Sequence, residues 1–518
     1  GLEAATKALL DAGMHTDLLS SAFLTLDIGI TYDAIEVAHV GYCYGDSTSG
    51  QDVCLLPFSQ PVLTVRMQRA LYNLGLTHIP IINVNNNCST GSTALYGANN
   101  AVKFGQAECA LALGFERMKP GSLGTNFPDR PVPTLLINQR SAELESVIGE
   151  NKGPGAPRIF DNGAVEYFAK YGGDVKTLAK IGMCPSSRFG SAHELSFAAI
   201  ASKNQGFIEQ PLFAVQGWVV RGTGLERTQD HQEPHQVHVQ PYLRTSSFSY
   251  ILPALNSFLD EQLDGAAACI VASEDFVHKH GLENQAIEIV AQHLTTDGPS
   301  TFEGQSAMDV VGYTMTKTCA DRVFADAGFA PGEGRDQVGV VELHDCFAAN
   351  ELITYPALGL CKEDEAVKMV ERGDNTYGGK FVVNPSGGLE AKGHPLGATG
   401  LGMHFYIMSM FLDDHLPELA AHNPFSATQE LGSPMQAPGL FDIPDKRGKF
   451  GLVHNVGLGG AVVVSLLRRP EFYKEGGKDG RDRLGYNHAH ECRPVSFADV
   501  DKVKSKTASK YVLAHAKL

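Results

Sequence analysis

Ile-Pro-Ile-Ile-Asn-Val-Asn-Asn-Asn-Cys-Ser-Thr-Gly-Ser, residues 79–92, joins an apolar, β-branched run to a polar turn that carries a cysteine. The apolar run predicts a buried strand over residues 79–85, and residues 93–104 have the periodicity of a helix. A second buried strand is predicted over residues 109–115. The stretch is therefore a strand, helix, strand unit with Cys88 at the entry to its helix.

A similar pattern occurs again further along the chain. Residues 337–343 predict a buried strand, the letters HDCF follow at 344–347, and residues 348–358 have a helical pattern. Cys346 thus takes the place that Cys88 has in the first unit, at the carboxyl end of a strand, where open α/β sheets carry their reactive groups.

Length, composition and charge limit the class of protein. The chain has 518 residues, of which 43% are hydrophobic, and this length suggests about three structural units. Its formal net charge of −16 disfavours a nucleic-acid partner. No apolar run approaches the length of a membrane span, so we expect a soluble protein without an integral membrane segment. The ten cysteines contain no Cys-x-x-Cys pair, which predicts neither a zinc ribbon nor a disulfide framework.

The rest of the chain differs in texture from these two units. Residues 119–249 have scattered proline and glycine and poor periodicity, so we expect an irregular insertion with a few helices. Strand and helix patterns return over 266–276 and 286–293. Residues 469–518 are polar and glycine-rich, and we expect a loosely attached extension.

Cys88 is the first candidate for chemistry. A cysteine at a helix N-terminus lies beside unsatisfied amide groups and the positive end of the helix dipole, which favours the thiolate. Such a sulfur can be a nucleophile. The alternative is a small buried hydrophobic residue, which most free cysteines are.

Two glycine-rich segments supply further candidates. His394 follows Gly393 and precedes Pro395, so it lies on a rigid loop where it can act as a base or as a donor to an oxyanion, although a lone histidine is more often structural. Residues 451–463 predict a strand, a glycine turn and another strand. The amides of that turn could form an oxyanion hole, and no helix follows it as a dinucleotide site requires.

Other motifs are set aside. Residues 373–381 approach a phosphate loop but lack its lysine, and residues 45–50 miss a Gly-x-Ser-x-Gly elbow by one position. Two histidine clusters have no carboxylate at a fixed spacing, so we predict that no metal binds at His231, His235 and His238 or at His488, His490 and Cys492.

Taken together, the motifs closely resemble the sterol carrier protein X branch of the thiolase superfamily, over about residues 2–467. They are NNCSTGS at 86–92, HDCFAANEL at 344–352, NPSGG at 384–388, KGHPLGATG at 392–400 and HNVGLGG at 454–460. The resemblance implies an α/β thiolase-like fold of two similar halves, each with a mixed five-stranded sheet, and an inserted loop domain. The expected units are residues 1–118 with 250–281, the loop domain 119–249, the second half 282–468 and the extension 469–518.

The resemblance also implies an activity, the thiolysis of 3-oxoacyl-CoA to acetyl-CoA and a shortened acyl-CoA. Cys88 would be the nucleophile and His394 the group that takes its proton. Common thiolases have Asn-Glu-Ala-Phe in place of residues 344–347 and a cysteine in place of His454; here Cys346 would be the acid/base. His344 and His394 would be donors to the thioester oxygen. An oxyanion loop would comprise Asn455, Val456, Gly457 and Gly459.

Coenzyme A is expected as co-substrate, with no tightly bound cofactor and no metal. A homodimer is a further expectation from the family. That branch is peroxisomal, and Ala516-Lys517-Leu518 resembles the tripeptide read by the peroxisomal import receptor, so a peroxisomal or glycosome-like location is expected. Residues 205–260 look longer than the family pattern, and of the Thr-Ser-Asp-Gly type sequence that the family has next only Asp264-Gly265 remains, which leaves the acyl-chain preference and the CoA ligands open.

Two other functions remain open. A synthase of the same fold would use one cysteine and two histidines for Claisen condensation, but Cys346 would then be superfluous. An acyl-CoA binding protein with little turnover would need neither Cys346 nor His394.

Overall fold

The computed structural model describes residues 1–12, 30–43, 70–116, 134–151, 155–182, 219–222, 263–283, 285–376, 379–384, 388–412, 450–473 and 495–510. Within these ranges, ten strands form two five-stranded sheets. The strands are β1 Val37–Gly41, β2 Ile81–Val84, β3 Cys109–Glu116, β4 Val219–Gly222, β5 Leu263–Ala272, β6 Glu288–Thr296, β7 Val338–Leu343, β8 Val382–Val383, β9 Phe450–Gly457 and β10 Ala461–Arg468.

The two sheets share one pattern of strand directions. The first has the order β2-β1-β3-β5-β4 and the second β8-β7-β9-β10-β6. In each, the first three strands run parallel to one another, the fourth strand is antiparallel to the third, and the fifth is antiparallel to the fourth. The expected α/β fold with two similar, mixed five-stranded sheets is therefore confirmed.

The helices lie before, between and after these strands. Their bounds are Leu2–Ala12, Thr90–Lys103, Leu135–Ile148, Gly155–Tyr171, Val175–Gly182, Glu274–His280, Ser300–Glu303, Ala307–Val310, Tyr313–Asp326, Ala348–Ala357, Ala366–Arg372, Gly388–Lys392, Thr399–Leu412 and Phe497–Val503. In the described part of the chain, none of them has both the length and the apolar character that a membrane crossing demands.

Two helices fill the space between the sheets. Thr90–Lys103 packs on β1 and β3 of the first sheet, and Thr399–Leu412 contacts both β5 of the first sheet and β7 of the second. The loop before the second helix comes close to β3, since a Cβ at Gly114 would lie 2.2 Å from the Gly397 carbonyl oxygen. Because only a residue without a side chain permits this contact, Gly114 lets the segment that carries His394 lie directly on the first half.

One strand falls in an unexpected range. β4, Val219–Gly222, pairs antiparallel with β5 and completes the first sheet. It lies within residues 119–249, the range predicted for the loop domain, which elsewhere contributes the helices Leu135–Ile148, Gly155–Tyr171 and Val175–Gly182. The division of the chain into units stays a prediction.

The prediction of a loosely attached extension is wrong for residues 495–510. The helix Phe497–Val503 packs against the N-terminal helix Leu2–Ala12, and Val495, Val500 and Val503 are buried in the core on the outer side of the first sheet. The Ser505 amide also donates to the Leu74 carbonyl oxygen at 2.6 Å. The polar composition of residues 469–494 gave no sign of the apolar side chains that follow, Val500 and Val503 three residues apart on the helix and Val495 just before it, and these give the segment its attachment.

We expect Val500→Ala to lower the free energy of unfolding by about 1–3 kcal/mol, because Val500 is 0% exposed and its loss leaves a cavity. Phe497→Ala on the same helix is the matched control, since Phe497 is 45% exposed and should have much less effect. Urea unfolding of both variants measures the difference. A Val500→Ala variant as stable as the unaltered protein would show that the extension adds nothing to the stability of the fold.

Candidate active site

Cys88 lies in a sharp turn between β2 and the helix Thr90–Lys103. Asn87 has φ +52, a left-handed conformation that asparagine tolerates better than most residues. Its amide donates to Asn85 Oδ1 at 3.1 Å, and the Thr90 amide donates to the Asn87 carbonyl oxygen at 3.0 Å. The turn directs Cys88 out of the sheet, and the residue is half-buried.

The glycine turn between β9 and β10 lies against this cysteine. A Cβ at Gly457 would lie 2.2 Å from the Asn86 carbonyl oxygen, so only glycine allows the two turns to touch. Asn87 Nδ2 donates to the Leu458 carbonyl oxygen at 2.8 Å, and the Leu458 amide hydrogen-bonds the Cys88 sulfur. Leu458 therefore holds the turn through its carbonyl oxygen and provides a donor at the thiol through its amide.

His344 comes from the second half, immediately after β7, and is 1% exposed. Its Nδ1 lies 3.0 Å from Asn455 Nδ2, which donates to it and leaves the proton on Nε2. The His344 amide donates to His454 Nδ1 at 3.4 Å, and His454 Nε2 lies 3.1 Å from Thr316 Oγ1. His454 is thus a buried support for the His344 backbone.

His394 completes a cluster of three side chains. Its ring meets that of His344 edge-on, with centroids 4.9 Å apart. The Cys88 sulfur and one ring nitrogen from each histidine all lie within 4.8 Å of one another. The His394 ring nitrogens are shielded from solvent and have no hydrogen-bond partner among the described residues. They are free to bond to a group that enters the site.

Cys346 is 6% exposed and lies two residues after His344. Burial raises the pKa of its thiol well above the ordinary value, and the nearby Cys88, Asp345 and Glu390 raise this pKa further. The interaction with Cys88 means that thiols from the two halves of the molecule are electrostatic neighbours.

The other residues predicted for the oxyanion loop have different surroundings. Asn455 reaches His344, and Gly457 contacts the Cys88 turn. Val456 is buried in the core of the second half. Gly459 has φ +103 and shapes the end of the turn. The amide that bonds the Cys88 sulfur is that of Leu458. The sequence pattern gives no reason to choose Leu458 over the other residues of the turn as the donor.

The expectation that the helix N-terminus makes Cys88 a thiolate is wrong. Burial raises the pKa of Cys88 to about 12, and the amides of Leu458 and Cys88 lower it by less than burial raises it. The helix begins at Thr90, two residues beyond Cys88, so its free amides do not surround the sulfur. At rest Cys88 is a neutral thiol, and to act as a nucleophile it would need a base.

The imidazoles are neutral as well. Burial lowers the pKa of His394 to about 3 and that of His454 to about 3. The pKa of His344 falls well below its ordinary value, first through burial and then through the neighbouring histidines His394 and His454. The site therefore has no imidazolium near neutral pH, and a neutral His394 is free to accept a proton.

We expect the rate at which iodoacetamide alkylates Cys88 to show no inflection between about pH 5 and pH 10. The reason is that neither the thiol, with a pKa of about 12, nor His394, with a pKa of about 3, titrates in that range. Mass spectrometry of the Cys88 peptide gives the rate at each pH. A rate that levels off near pH 7 would show that the helix dipole does lower the thiol pKa.

Cys43 and Glu116 adjoin the site, and the sequence reading missed both. The Cys43 sulfur lies 2.7 Å from Thr90 Oγ1 and donates to the Asn87 carbonyl oxygen at 2.9 Å. Glu116 Oε2 accepts the amides of Cys43 and Gly397, both at 3.0 Å. One feature of the sequence could have pointed to Cys43: like Cys88 and Cys346, it closely follows an apolar strand. These two residues tie the Cys88 turn to the loop after His394.

The described residues offer one cluster with enough metal-ligand types to share an ion, and it is Cys88, His344 and His394. The two histidine clusters that we predict not to bind metal lie outside the described residues, so that prediction is not tested. Residues 45–50 also lie outside the described residues. Gly373 of the discarded phosphate loop has φ +74 and ends the helix Ala366–Arg372.

Comparison with known proteins identifies the family. Residues 62–130 match the model of the thiolase N-terminal domain, and residues 300–407 match that of the thiolase C-terminal domain-like family. Bovine sterol carrier protein 2 is 39% identical over 487 residues, covering 94% of this chain and 72% of that protein. Non-specific lipid-transfer protein-like 2 of Caenorhabditis elegans is 33% identical and covers 88% of this chain and 90% of that protein.

Among solved structures, human mitochondrial 3-ketoacyl-CoA thiolase aligns over 90% of this chain and 91% of its own, with 16% identity and a TM-score of 0.44. The sequence relatives carry the assignment, because their identity extends over most of both chains. The protein belongs to the thiolase family of acyltransferases.

Proposed function

We propose that the protein is a 3-oxoacyl-CoA thiolase that cleaves its substrate to acetyl-CoA and a shortened acyl-CoA. The observation that carries this proposal is the convergence of Cys88 from the first half with His344 and His394 from the second, all within 4.8 Å, beside a second buried thiol. Thiolysis needs a nucleophile, a base, donors to an enolate oxygen and an acid in one enclosed space, and these side chains supply each of them.

Cys88 attacks the C3 ketone of the substrate, and His394 takes the proton from its sulfur. Because both groups are neutral at rest, the proton moves only as the carbon–sulfur bond forms. The ketone oxygen becomes an oxyanion. The amides of Cys88 and of the turn at Leu458 lie at the sulfur and are the proposed donors to this oxygen.

Cleavage of the C2–C3 bond leaves an acyl group on Cys88 and an acetyl-CoA enolate. His344 Nε2–H, whose tautomer follows from the Asn455 contact, and His394 are the proposed donors to the enolate oxygen. Each such donor contributes about 3–4 kcal/mol to a transition state of this kind. Cys346 protonates C2, which releases acetyl-CoA.

Coenzyme A enters as the second substrate. The Cys346 thiolate takes the proton of the CoA thiol, the CoA sulfur attacks the acyl group, and the protonated His394 returns its proton to Cys88. All protons are restored at the end of the cycle. A high pKa suits Cys346, since the group must be a thiol when the enolate forms.

Turnover assays separate this function from its alternatives. We expect the purified protein to convert acetoacetyl-CoA and longer 3-oxoacyl-CoA esters, with CoA, to acetyl-CoA and the shortened ester, as followed by chromatography. Decarboxylation of a malonyl thioester without thiolysis would favour the synthase. Tight acyl-CoA binding with no turnover would favour the binding protein.

We also propose a homodimer formed through the outer edge of the first sheet. β2 is an edge strand, and Ile82 on it is 40% exposed. An exposed edge with an apolar residue is a surface that a second copy can cover by strand pairing. Light scattering on the purified chain tests this, and Ile82→Asp should shift the mass to that of a monomer.

We propose a peroxisomal location, supported by the likeness of residues 516–518 to an import tripeptide. These residues lie outside the described part of the chain. Imaging a fusion with a fluorescent protein at the N-terminus, with and without residues 516–518, tests the proposal. A diffuse signal from the complete fusion would contradict it.

A further inference from the structure

Two segments that carry site residues meet at a pair of carboxyl groups. The first contact runs from Asp345, which lies between His344 and Cys346. Its Oδ1 accepts the Leu389 amide at 2.6 Å. Gly388 has φ +67, and a Cβ there would lie 1.6 Å from Asp345 Oδ2. The close approach of this carboxyl therefore requires glycine at position 388.

The second contact runs in the opposite direction. Glu390 belongs to the short helix Gly388–Lys392, and its carboxyl accepts the amide of Ala348, the first residue of the helix Ala348–Ala357. Glu390 Oε1 is shielded from solvent and has no hydrogen-bond partner among the described residues. Each segment thus offers one carboxyl to a backbone amide of the other.

These crossed bonds bracket the second thiol. Cys346 lies between Asp345 and Ala348, and His394 follows Glu390 by four residues in the same segment. Leu389 and Ala348 are buried, so loss of either carboxyl would leave a buried backbone amide without this partner, which costs more than an exposed hydrogen bond does. A pair that runs in both directions resists sliding of one segment past the other.

We propose that Asp345 and Glu390 are positioning residues, a reciprocal clamp that holds the Cys346 thiol in register with His394 for proton transfer at C2 of acetyl-CoA. The proposal rests on the proposed function. Glu390 touches no reacting atom in it, and its effect reaches the substrate only through Cys346.

The same carboxyls influence the charge of Cys346. Asp345, Glu390 and Cys88 all raise the pKa of this thiol, in addition to burial. Glu351, which accepts Asn384 Nδ2 at 2.8 Å and the Tyr355 hydroxyl, is a third carboxyl of the cluster. Burial raises the pKa of Glu390 well above its ordinary value, and the neighbouring Asp345 and Glu351 raise it further.

The test compares two partial reactions in the full chain. Exchange of the C2 protons of acetyl-CoA with deuterated water requires Cys346 to remove a proton, whereas acetyl transfer from acetyl-CoA to Cys88, seen by intact mass, does not require chemistry at C2. We expect Glu390→Ala to slow the exchange at least about tenfold and to change acetyl transfer less than about twofold. Glu390→Gln keeps an oxygen that can accept the Ala348 amide and should restore most of the exchange.

Glu371→Ala, at an exposed carboxyl on the helix Ala366–Arg372, is the control and should change neither reaction. Equal loss of both reactions in Glu390→Ala, or normal exchange in that variant, would overturn the clamp. If Glu390→Ala does not fold, an exchange rate in Glu390→Gln as low as that of Cys346→Ala would overturn it too. Absence of exchange in the unaltered protein would instead overturn the role proposed for Cys346.

Discussion

Cys88→Ser is expected to lower the rate of 3-oxoacyl-CoA thiolysis about 10⁴-fold or more, the scale seen when an enzyme loses its nucleophile. This corresponds to about 5 kcal/mol of transition-state stabilisation. A hydroxyl fits the space of the thiol and can keep the contact with the Leu458 amide. The loss therefore measures the chemistry of the sulfur and leaves the shape of the site intact.

The physical reason lies in the proton. His394 has a pKa of about 3 and is a weak base at rest. It can therefore remove a proton only while the same group attacks the substrate as a strong nucleophile. An alcohol holds its proton more strongly than a thiol, so His394 removes that proton far less readily as the side chain attacks the ketone. We expect no acyl-enzyme in the variant.

Steady-state thiolysis of acetoacetyl-CoA and intact mass spectrometry check this prediction. Cys361→Ser, at a half-buried cysteine of the second half, is the matched control and should retain its rate. A Cys88→Ser variant with more than about a tenth of normal activity would assign the nucleophile to another residue.

Cys346→Ala should be the second most damaging change, with a loss of thiolysis of about 10²–10⁴-fold, the range that general acid and base groups contribute. Without this thiol, the acetyl-CoA enolate has no protein donor at C2. Acetyl transfer from acetyl-CoA to Cys88 should fall much less, because a thiol with an ordinary pKa of about 8.5 can leave as its thiolate without the proton that Cys346 gives to CoA in the full cycle.

The contrast between the two reactions is the measurement. A Cys346→Ala variant that loses acetyl transfer to the same extent would indicate a collapsed site, which thermal unfolding would reveal. Unchanged thiolysis in a folded variant would contradict the acid/base assignment and favour the synthase, in which Cys346 has no role.

The fold follows from local pattern to a large extent. The apolar runs that predict strands over 79–85, 109–115 and 337–343 correspond to β2, β3 and β7, and the helices after Cys88 and Cys346 begin close to where their periodicity starts. β3 and β7 are buried on both faces and leave few alternatives, since such strands need helices to cover them. The expectation of a buried strand over 79–85 is wrong in its burial, because β2 lies at the edge of its sheet and has no buried residue.

Other features do not follow from the pattern. The attachment of residues 495–510 depends on three buried valines and on a surface formed by the N-terminal helix and the first sheet. The approach of Cys43 to Thr90 depends on the parallel pairing of β1 with β2, which brings together residues far apart in the chain. Contacts at such separation have no local signal.

By itself, the sequence determined which side chains are available and which stand at strand ends, because apolar periodicity and turn chemistry act over a few neighbouring residues. The packing of the two halves decided the ionisation of those side chains. It enclosed Cys88, His344 and His394 in a small space away from water, and removal of that water outweighs the helix terminus in setting the pKa of Cys88. It also brought the Asp345 carboxyl to the Leu389 amide, 44 positions along the chain, and the Glu390 carboxyl to the Ala348 amide, contacts that only the assembled sheet and its loops can create.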